Sequence, residues 1–204
     1  MTRSPGQPVR EARIEQSAYA DAVLADGYAI RDLRRGDGAA LAAAFRRNRE
    51  HLAPRDPVRP ESFYTDEGQE AEVGRNLAET ERGRSSMYLI WHGEQVVGRV
   101  MLSNVVRGVL QSGSVGYWVD HEHLGRGLAT AGVGHVVVEA ARLGLHRLEA
   151  GTMVDNAASQ AVLRRSGFRQ YGTAERFLFI GGQWQDHVLF QRILHDDPPG
   201  NPGA

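Results

Sequence analysis

The chain has 204 residues, 41% of them hydrophobic and 24% charged, with a net charge of −1. That length buries a full core in one domain without staples, and the charge balance supplies no domain-wide basic field for nucleic acid. Cysteine is absent, which excludes disulfides, a thiol nucleophile and thiolate-held zinc or iron–sulfur clusters. All 24 basic residues are arginine, so there is no lysine side chain for Schiff-base chemistry.

No run of eighteen apolar residues exists to span a membrane. The N-terminal stretch is polar and lacks the apolar segment of a secretory signal, so a cytoplasmic protein is expected. Residues 1–27 read as a tail with a short helix over Glu11–Leu24, residues 28–194 as one domain, and residues 195–204 as a disordered Pro/Gly/Asp tail.

In chain order, Tyr28–Leu33 alternates as a strand. Asp37 is placed to cap an Ala-rich helix that runs through His51. Pro54, Pro57 and Pro60 make an irregular connection, and Glu67–Glu81 suits a polar second helix. Met87–Trp91 and Gln95–Leu102 form a hairpin through His92-Gly93-Glu94. Asn104–Gly113 reads as a turn region, Ser114–Asp120 as a strand, and Gly127–Leu143 as a helix closed by Gly144. Arg147–Val154 is a strand, Asn156–Ser166 a helix closed by Gly167, and two last strands flank Gly181-Gly182. The expected fold is α/β (α+β), with a mixed central sheet of about seven strands that is antiparallel in its first half.

The richest stretch is Tyr117-Trp-Val-Asp-His-Glu-His-Leu-Gly-Arg-Gly-Leu-Ala-Thr130. A strand ends, and Gly125-Arg126-Gly127 opens a helix whose unpaired N–H groups and partial positive charge suit a phosphate. The bland alternative is a helix-entry turn packed closely on the sheet. A P-loop needs a lysine, which is lacking. A dinucleotide fingerprint is opposed by the loop's place past mid-chain, after an antiparallel hairpin. The next helix opens with Asp155-Asn-Ala-Ala-Ser159, where Asn156 and Ser159 share one face of the first turn; read blandly, Asp155 or Asn156 is its N-cap.

Together, Val119…Leu-Gly-Arg-Gly-Leu-Ala-Thr130 and Asn156-x-x-Ser159…Ser-Gly-Phe168 resemble the GNAT (Gcn5-related) N-acetyltransferases. The resemblance sharpens to the RimJ/RimL branch, which acetylates protein N-termini, and is strongest to its RimJ members. His51-Leu-Ala-Pro-Arg-Asp-Pro-Val-Arg-Pro-Glu-Ser62, Ser103-Asn-Val-Val-Arg-Gly108, His146-Arg147 and Gly182–Leu189 carry it, over roughly residues 28–193.

The resemblance implies acetyl-CoA as cosubstrate and a single GNAT-like domain with helices on both faces. It implies pantetheine contacts from Tyr117, Trp118 and Val119, a diphosphate cradle from Leu124, Gly125, Arg126, Gly127, Leu128, Ala129 and Thr130, and strands Ser114–Asp120 and Arg147–Val154 that splay apart. Asn156 is expected beside the pantetheine and Ser159 near the sulfur. Two departures stand out. Leu124 occupies a position often Gln or Arg, and Leu163 stands seven residues after Asn156, where many GNAT enzymes carry the tyrosine that protonates the thiolate. Ser159 matches the RimL alternative and is the nominated acid.

A peptide α-amine has a pKa of about 8, so a base gains little near neutrality. Glu149 is the candidate base, against its reading as a sheet-end carboxylate paired with Arg147. Leu178 stands where RimL carries a Glu base. Glu61, Arg107 and Trp184 are candidate acceptor contacts, and no metal is implied, since His121 and His123 lack a third ligand. The expected acceptor is a protein N-terminus, of a ribosomal protein by resemblance, bound by a monomer or homodimer without direct nucleic-acid or membrane contact. A small-molecule acetyltransferase and a silent acyl-CoA-binding module remain alternatives.

Overall fold

The computed structural model describes residues 22–24 and 27–199. One sheet organises them, in the order β1-β2-β3-β4-β5-β6-β8-β7. The strands are β1 (Ala22–Val23), β2 (Tyr28–Asp32), β3 (Ser86–His92), β4 (Gln95–Val106), β5 (Ser112–Val119), β6 (Arg147–Met153), β7 (Arg169–Ile180) and β8 (Gln183–Ile193). The helices are α1 (Gly38–Arg47), α2 (Arg49–Leu52), α3 (Asp66–Glu81), α4 (Leu128–Arg142) and α5 (Ala157–Arg165). β1 to β5 pair antiparallel, β5 and β6 are parallel across the α4 crossover, and β8 pairs antiparallel with both β6 and β7.

Strand alternation sends side chains to two helical layers. Tyr88, Ile90, Val100, Leu102, Val115 and Val119 pack with Val133, Val136 and Ala140 of α4 and Leu163 of α5. Met87 and Leu89 turn the other way, onto Leu41 and Phe45 of α1 and Val73 of α3. Helices therefore cover both faces, as the resemblance implies.

Several local expectations change. Ala22–Val23 is a strand pairing with Ile30 and Ala29, not the end of a helix; the rest of the expected Glu11–Leu24 helix, and residues 200–204, lie outside the described residues. β4 runs on to Val106 through a bulge between Ser103 and Val106, with Asn104 at φ 50°, where a turn region was expected. The single helix expected through His51 breaks at Asn48, whose side chain donates to the Ala44 carbonyl (2.9 Å) and to Asp120 Oδ2 (2.8 Å). Asp37 does not cap α1 with its side chain. Its carboxylate instead accepts both Arg31 guanidinium nitrogens (2.7 and 2.9 Å) and the Arg34 amide. Glu70 of α3 takes the Gly36 and Gly38 amides, each at 3.0 Å. No helix among the described residues is long and apolar enough to cross a membrane.

Candidate active site

The sheet opens at its centre. β5 and β6 pair only at Ser112↔Arg147, Gly113↔Leu148 and Ser114↔Glu149. Beyond those rungs β5 continues to Val119 and β6 to Met153 without pairing to one another. From Val115 onward the β6-facing edge of β5 has unsatisfied backbone groups, which is the edge an extended ligand can use.

The loop after β5 leads to the mouth of this opening. Asp120 is fully buried and anchors it. Its Oδ2 accepts from Arg47 Nε (2.6 Å) and Asn48 Nδ2 (2.8 Å), and its Oδ1 from the Glu122 amide (2.9 Å). Burial alone raises the pKa of this carboxyl. The hydrogen bonds from Asn48, Glu122 and Arg47 outweigh it and hold the group below its ordinary value of 3.8. Asn48 Oδ1 in turn accepts the His121 amide (2.9 Å). The helix break between α1 and α2 is thus the clamp of the loop.

Gly125 and Gly127 sit at φ 74° and 77°, in the left-handed region that favours glycine. A Cβ at either would meet nothing within 4 Å, so both face open space. Gly127 is the N-cap of α4 and gives it no side-chain cap, which leaves the first-turn N–H groups for a ligand. Arg126 is exposed beside them. Leu124 is exposed and apolar, while Leu128 turns into the core. Ala129 and Thr130 lie half-buried in the first turn.

On the α4/α5 side of the opening, Tyr117 meets Ser159. Tyr117 Oη lies 2.8 Å from Ser159 Oγ and 3.1 Å from the Ser159 carbonyl. Burial pushes the Tyr117 phenol up to about 12, against a smaller opposing effect of the Ser159 bond, so it stays protonated at neutral pH. Asn156 caps α5, its Oδ1 accepting the Ser159 amide (3.1 Å); the cap uses Oδ1 and not Nδ2. Leu163 is 1% exposed and belongs to the core. Sequence reasoning placed Tyr117 at the slot but not its hydroxyl on Ser159. Thr152 Oγ1, on the part of β6 that does not pair with β5, is buried with no partner among the described residues.

Glu149 sits on the last paired rung. Its Oε1 takes Arg147 Nη2 (2.7 Å) and the Tyr171 hydroxyl (2.6 Å), the environment of a paired carboxylate. Trp118 points the other way, its ring 5.2 Å from that of Phe45 in the α1/α3 layer, so only its backbone reaches the slot. Glu61 lies in a 3-10 turn, Glu61–Tyr64, where Arg49 Nη1 donates to it (3.0 Å) and holds its carboxyl below the usual range. Arg49 follows Asn48, so Glu61 stands at the mouth. Trp184 is 60% exposed near the tip of the β7–β8 hairpin, past the Met153↔His187 rung, and so at the same end. Arg107 is not there. It donates to the Leu143 carbonyl beyond the C-terminus of α4, while the cradle is at the other end of that 15-residue helix, about 22 Å away at the usual rise.

Two histidines on this framework predict a pH dependence. His123 Nδ1 lies 2.8 Å from Tyr28 Oη, and the His135 ring packs edge-on against Tyr88 at 4.6 Å. Desolvation lowers both below the ordinary 6.5. The unfolded chain therefore binds protons first on acidification. The stability these groups contribute is complete above pH 6.5 and is lost as pH falls through their lower folded values. Asp120 has the opposite identity but the same direction, in a window below 3.8 that leaves this range untouched. The urea midpoint should drop between pH 7.5 and 5.5, and His135→Gln should reduce the drop; equal midpoints at the two pH values would contradict this.

An eight-stranded mixed sheet that parts between its central parallel strands, with a glycine cradle at the mouth, is the architecture of an N-acetyltransferase. The chain belongs to the GNAT acetyltransferase family: residues 29–169 match the Acetyltransferase (GNAT) domain. It is 33% identical over 154 residues to the probable N-acetyltransferase YjcK of Bacillus subtilis, covering 74% of this chain and 84% of that protein. It is 31% identical over 178 residues to the ribosomal protein uS5 alanine N-acetyltransferase of Escherichia coli, covering 86% and 92%. The crystal structure of the ribosomal-protein-S5-alanine acetyltransferase of Vibrio fischeri superposes with a TM-score of 0.83 at 29% identity, over 87% of this chain and 98% of that one. Mycobacterium smegmatis RimJ, solved with a CoA disulfide, gives 0.77 at 30%, over 81% of each.

Proposed function

We propose that this N-acetyltransferase uses acetyl-CoA to acetylate the α-amine of a protein N-terminus, with a ribosomal protein as acceptor. The observation that carries the reading is the end of β5–β6 pairing at Ser114↔Glu149, which leaves a slot from the Gly125–Gly127 cradle to the Tyr117–Ser159 hydroxyl pair. The curated relatives named for ribosomal-protein alanine acetylation support the acceptor, and neighbours solved with CoA or acetyl-CoA support the cosubstrate.

The residues fit such a ligand. The uncapped start of α4 offers N–H groups to a diphosphate, with Arg126 adding charge. The free edge of β5 offers amides and carbonyls to an extended pantetheine, and Asn156 Nδ2 and Thr152 Oγ1 supply further polar contacts. When bound, acetyl-CoA supplies the thioester that the neutral amine attacks. Amides at the end of β5 are placed to stabilise the charge that develops on the acyl oxygen. The Ser159 hydroxyl is placed to give a proton to the departing sulfur, with Tyr117, protonated up to a pKa of about 12, replenishing it; the proton that the amine nitrogen sheds on becoming an amide passes to solvent, which restores the Tyr117 phenol. The acceptor's own amine, with a pKa of about 8, needs no strongly basic residue, which leaves Glu149 to its ion pair. The C-terminal segment around His195 forms a contact with His146, whose Nδ1 lies 2.5 Å from the His195 carbonyl, at the opposite end of β6.

Release of free thiol, measured with peptides beginning in Ala or Ser and with a set of small amines, tests the acceptor. Turnover with peptides alone supports the proposal, turnover with small amines alone replaces it with the small-molecule reading, and no turnover at all favours the silent module. Ser159→Ala and Tyr117→Phe should each lower kcat about 10²-fold, the lower range for a general acid, with acetyl-CoA affinity retained. Unchanged kcat in both would remove the hydroxyl pair from the mechanism.

A further inference from the structure

The opposite face of the sheet holds a guanidinium whose buried Nε has no hydrogen-bond partner among the described residues. Arg99 lies on β4, in register with Trp118 of β5 and Leu89 of β3, so its side chain enters the α1/α3 layer, away from the Tyr117–Ser159 slot. Its Nε is sealed from solvent and has no hydrogen-bond partner. Among the described residues it makes no salt bridge, and the Phe45 ring lies 5.6 Å from the guanidinium carbon. The nearby acids are already engaged. Asp56 accepts Arg59 Nε (3.1 Å) and Glu72 accepts Arg75, so both acids act on Arg99 through space while their hydrogen bonds go to other arginines. Desolvation pulls its pKa below the ordinary 12.5. The indole N–H groups of Trp91 and Trp118, also buried and on this face, lack acceptors too.

Arg99 borders a cavity of about 190 Å³ between β4, α1 and α3. Buried polar atoms in native proteins almost always have a partner, and the Arg99 Nε, on a half-buried side chain, has none. A guanidinium is a fork that matches a planar carboxylate with two parallel hydrogen bonds. The lining is mostly polar: Arg59, Gln69 and Asn76 offer further donors beside Arg99, Glu72 adds one like charge, and apolar side chains give the smaller part, room for a short carbon body.

We propose that this cavity is a binding site for a small carboxylate, gripped by Arg99 with its carbon body among Leu33, Leu41, Val73, Met87 and Met101. The carboxylate comes either from a free small acid or from an acidic side chain of the acceptor. Trp118 stands in register with Arg99 and belongs to the stretch of β5 that does not pair with β6.

The test is calorimetric titration of the full-length protein with sodium butyrate and with its neutral analogue butyramide. Butyrate should bind with one site per chain and butyramide at least tenfold more weakly. Arg99→Met, which keeps the length and apolar bulk of the side chain, should abolish butyrate binding, and Arg99→Lys should weaken it by losing the fork. Both variants should retain the wild-type thermal response to acetyl-CoA, which shows that they are folded. Failure of butyrate to bind the wild-type protein, or equal binding by Arg99→Met, overturns the proposal. A second arm rests on the peptide-acceptor reading and separates the two sources. If Arg99→Met raises KM for a peptide carrying Glu near its N-terminus and not for its Gln counterpart, the acceptor supplies the carboxylate. If KM is unchanged while butyrate binding is lost, a free acid does.

Discussion

Gly127→Asp should remove most of the response to acetyl-CoA while leaving the protein folded. Two opposing effects of similar size act on the fold. An L-residue at φ 77° costs roughly 1–2 kcal/mol, a cost that Asp bears better than most. Against it, a carboxylate at the N-cap of α4, which now has no side-chain cap, gains about 1 kcal/mol. No atom within 4 Å of the new Cβ adds a clash. The effect on binding has no such compensation. The new carboxylate accepts the first-turn N–H groups that the diphosphate needs and places like charge against it. A loss of at least 10²-fold in affinity is expected, about 2.7 kcal/mol. In thermal unfolding, the wild type with acetyl-CoA at a hundred times its Kd should gain about 2.7 kcal/mol, and the variant about 0.4 kcal/mol or less at the same concentration. Gly127→Ala serves as control, because it carries the strain without the charge. A variant that responds like the wild type would show that the cradle does not hold the diphosphate.

The parts of this site that are local in sequence are the parts that sequence reading reaches. Gly125 and Gly127 at a strand-to-helix turn, and Asn156 three residues ahead of Ser159, are each described by one turn of backbone, so their geometry follows from spacing. The alternation of β3 and β4 likewise follows from period-two patterning. What escapes is the chemistry made across long separations. Nothing around Asn48 marks it as a helix break, because its reason is Asp120, 72 residues on. Tyr117 reads as one more aromatic on a strand until α5 brings the Ser159 hydroxyl to it from 42 residues away. The register of β5 sends Trp118 to the face away from Ser159, and the length of α4 carries Arg107 to the far end of the sheet. β1 is invisible for a different reason: two residues are too few to show a period, and only pairing with β2 defines them. Arg99 sits in an alternating strand where a charge on the inner face is a local conflict, which is the kind of inconsistency expected at a functional position.

Asp120→Ala should be the most damaging single change to stability, and its cause differs from that of a core truncation. The side chain of Asp120 is fully buried and that of Arg47 is 26% exposed, in contact at 2.6 Å. Removing the carboxylate takes an acceptor from the Arg47 guanidinium, the Asn48 amide and the Glu122 N–H together, leaving Arg47 only the Val96 carbonyl and Asn48 Nδ2 only the Ala44 carbonyl. Breaking a buried pair in this way costs about 3–5 kcal/mol, a large share of the roughly 5–15 kcal/mol that holds a domain folded. Part of the loss falls on function as well. His121 hangs on Asn48 Oδ1, so the same cut frees the segment that leads to Gly125, and the cradle must then be ordered at the moment of binding. Acetyl-CoA affinity should therefore fall although no removed atom touches the ligand. Urea unfolding of Asp120→Ala, Arg47→Gln and the double variant separates the contributions. If the pair acts as a unit, the double variant is less destabilised than the two single losses added together. A midpoint for Asp120→Ala within 1 kcal/mol of the wild type, or strictly additive losses, would mean that the loop is held in place by something other than this carboxylate.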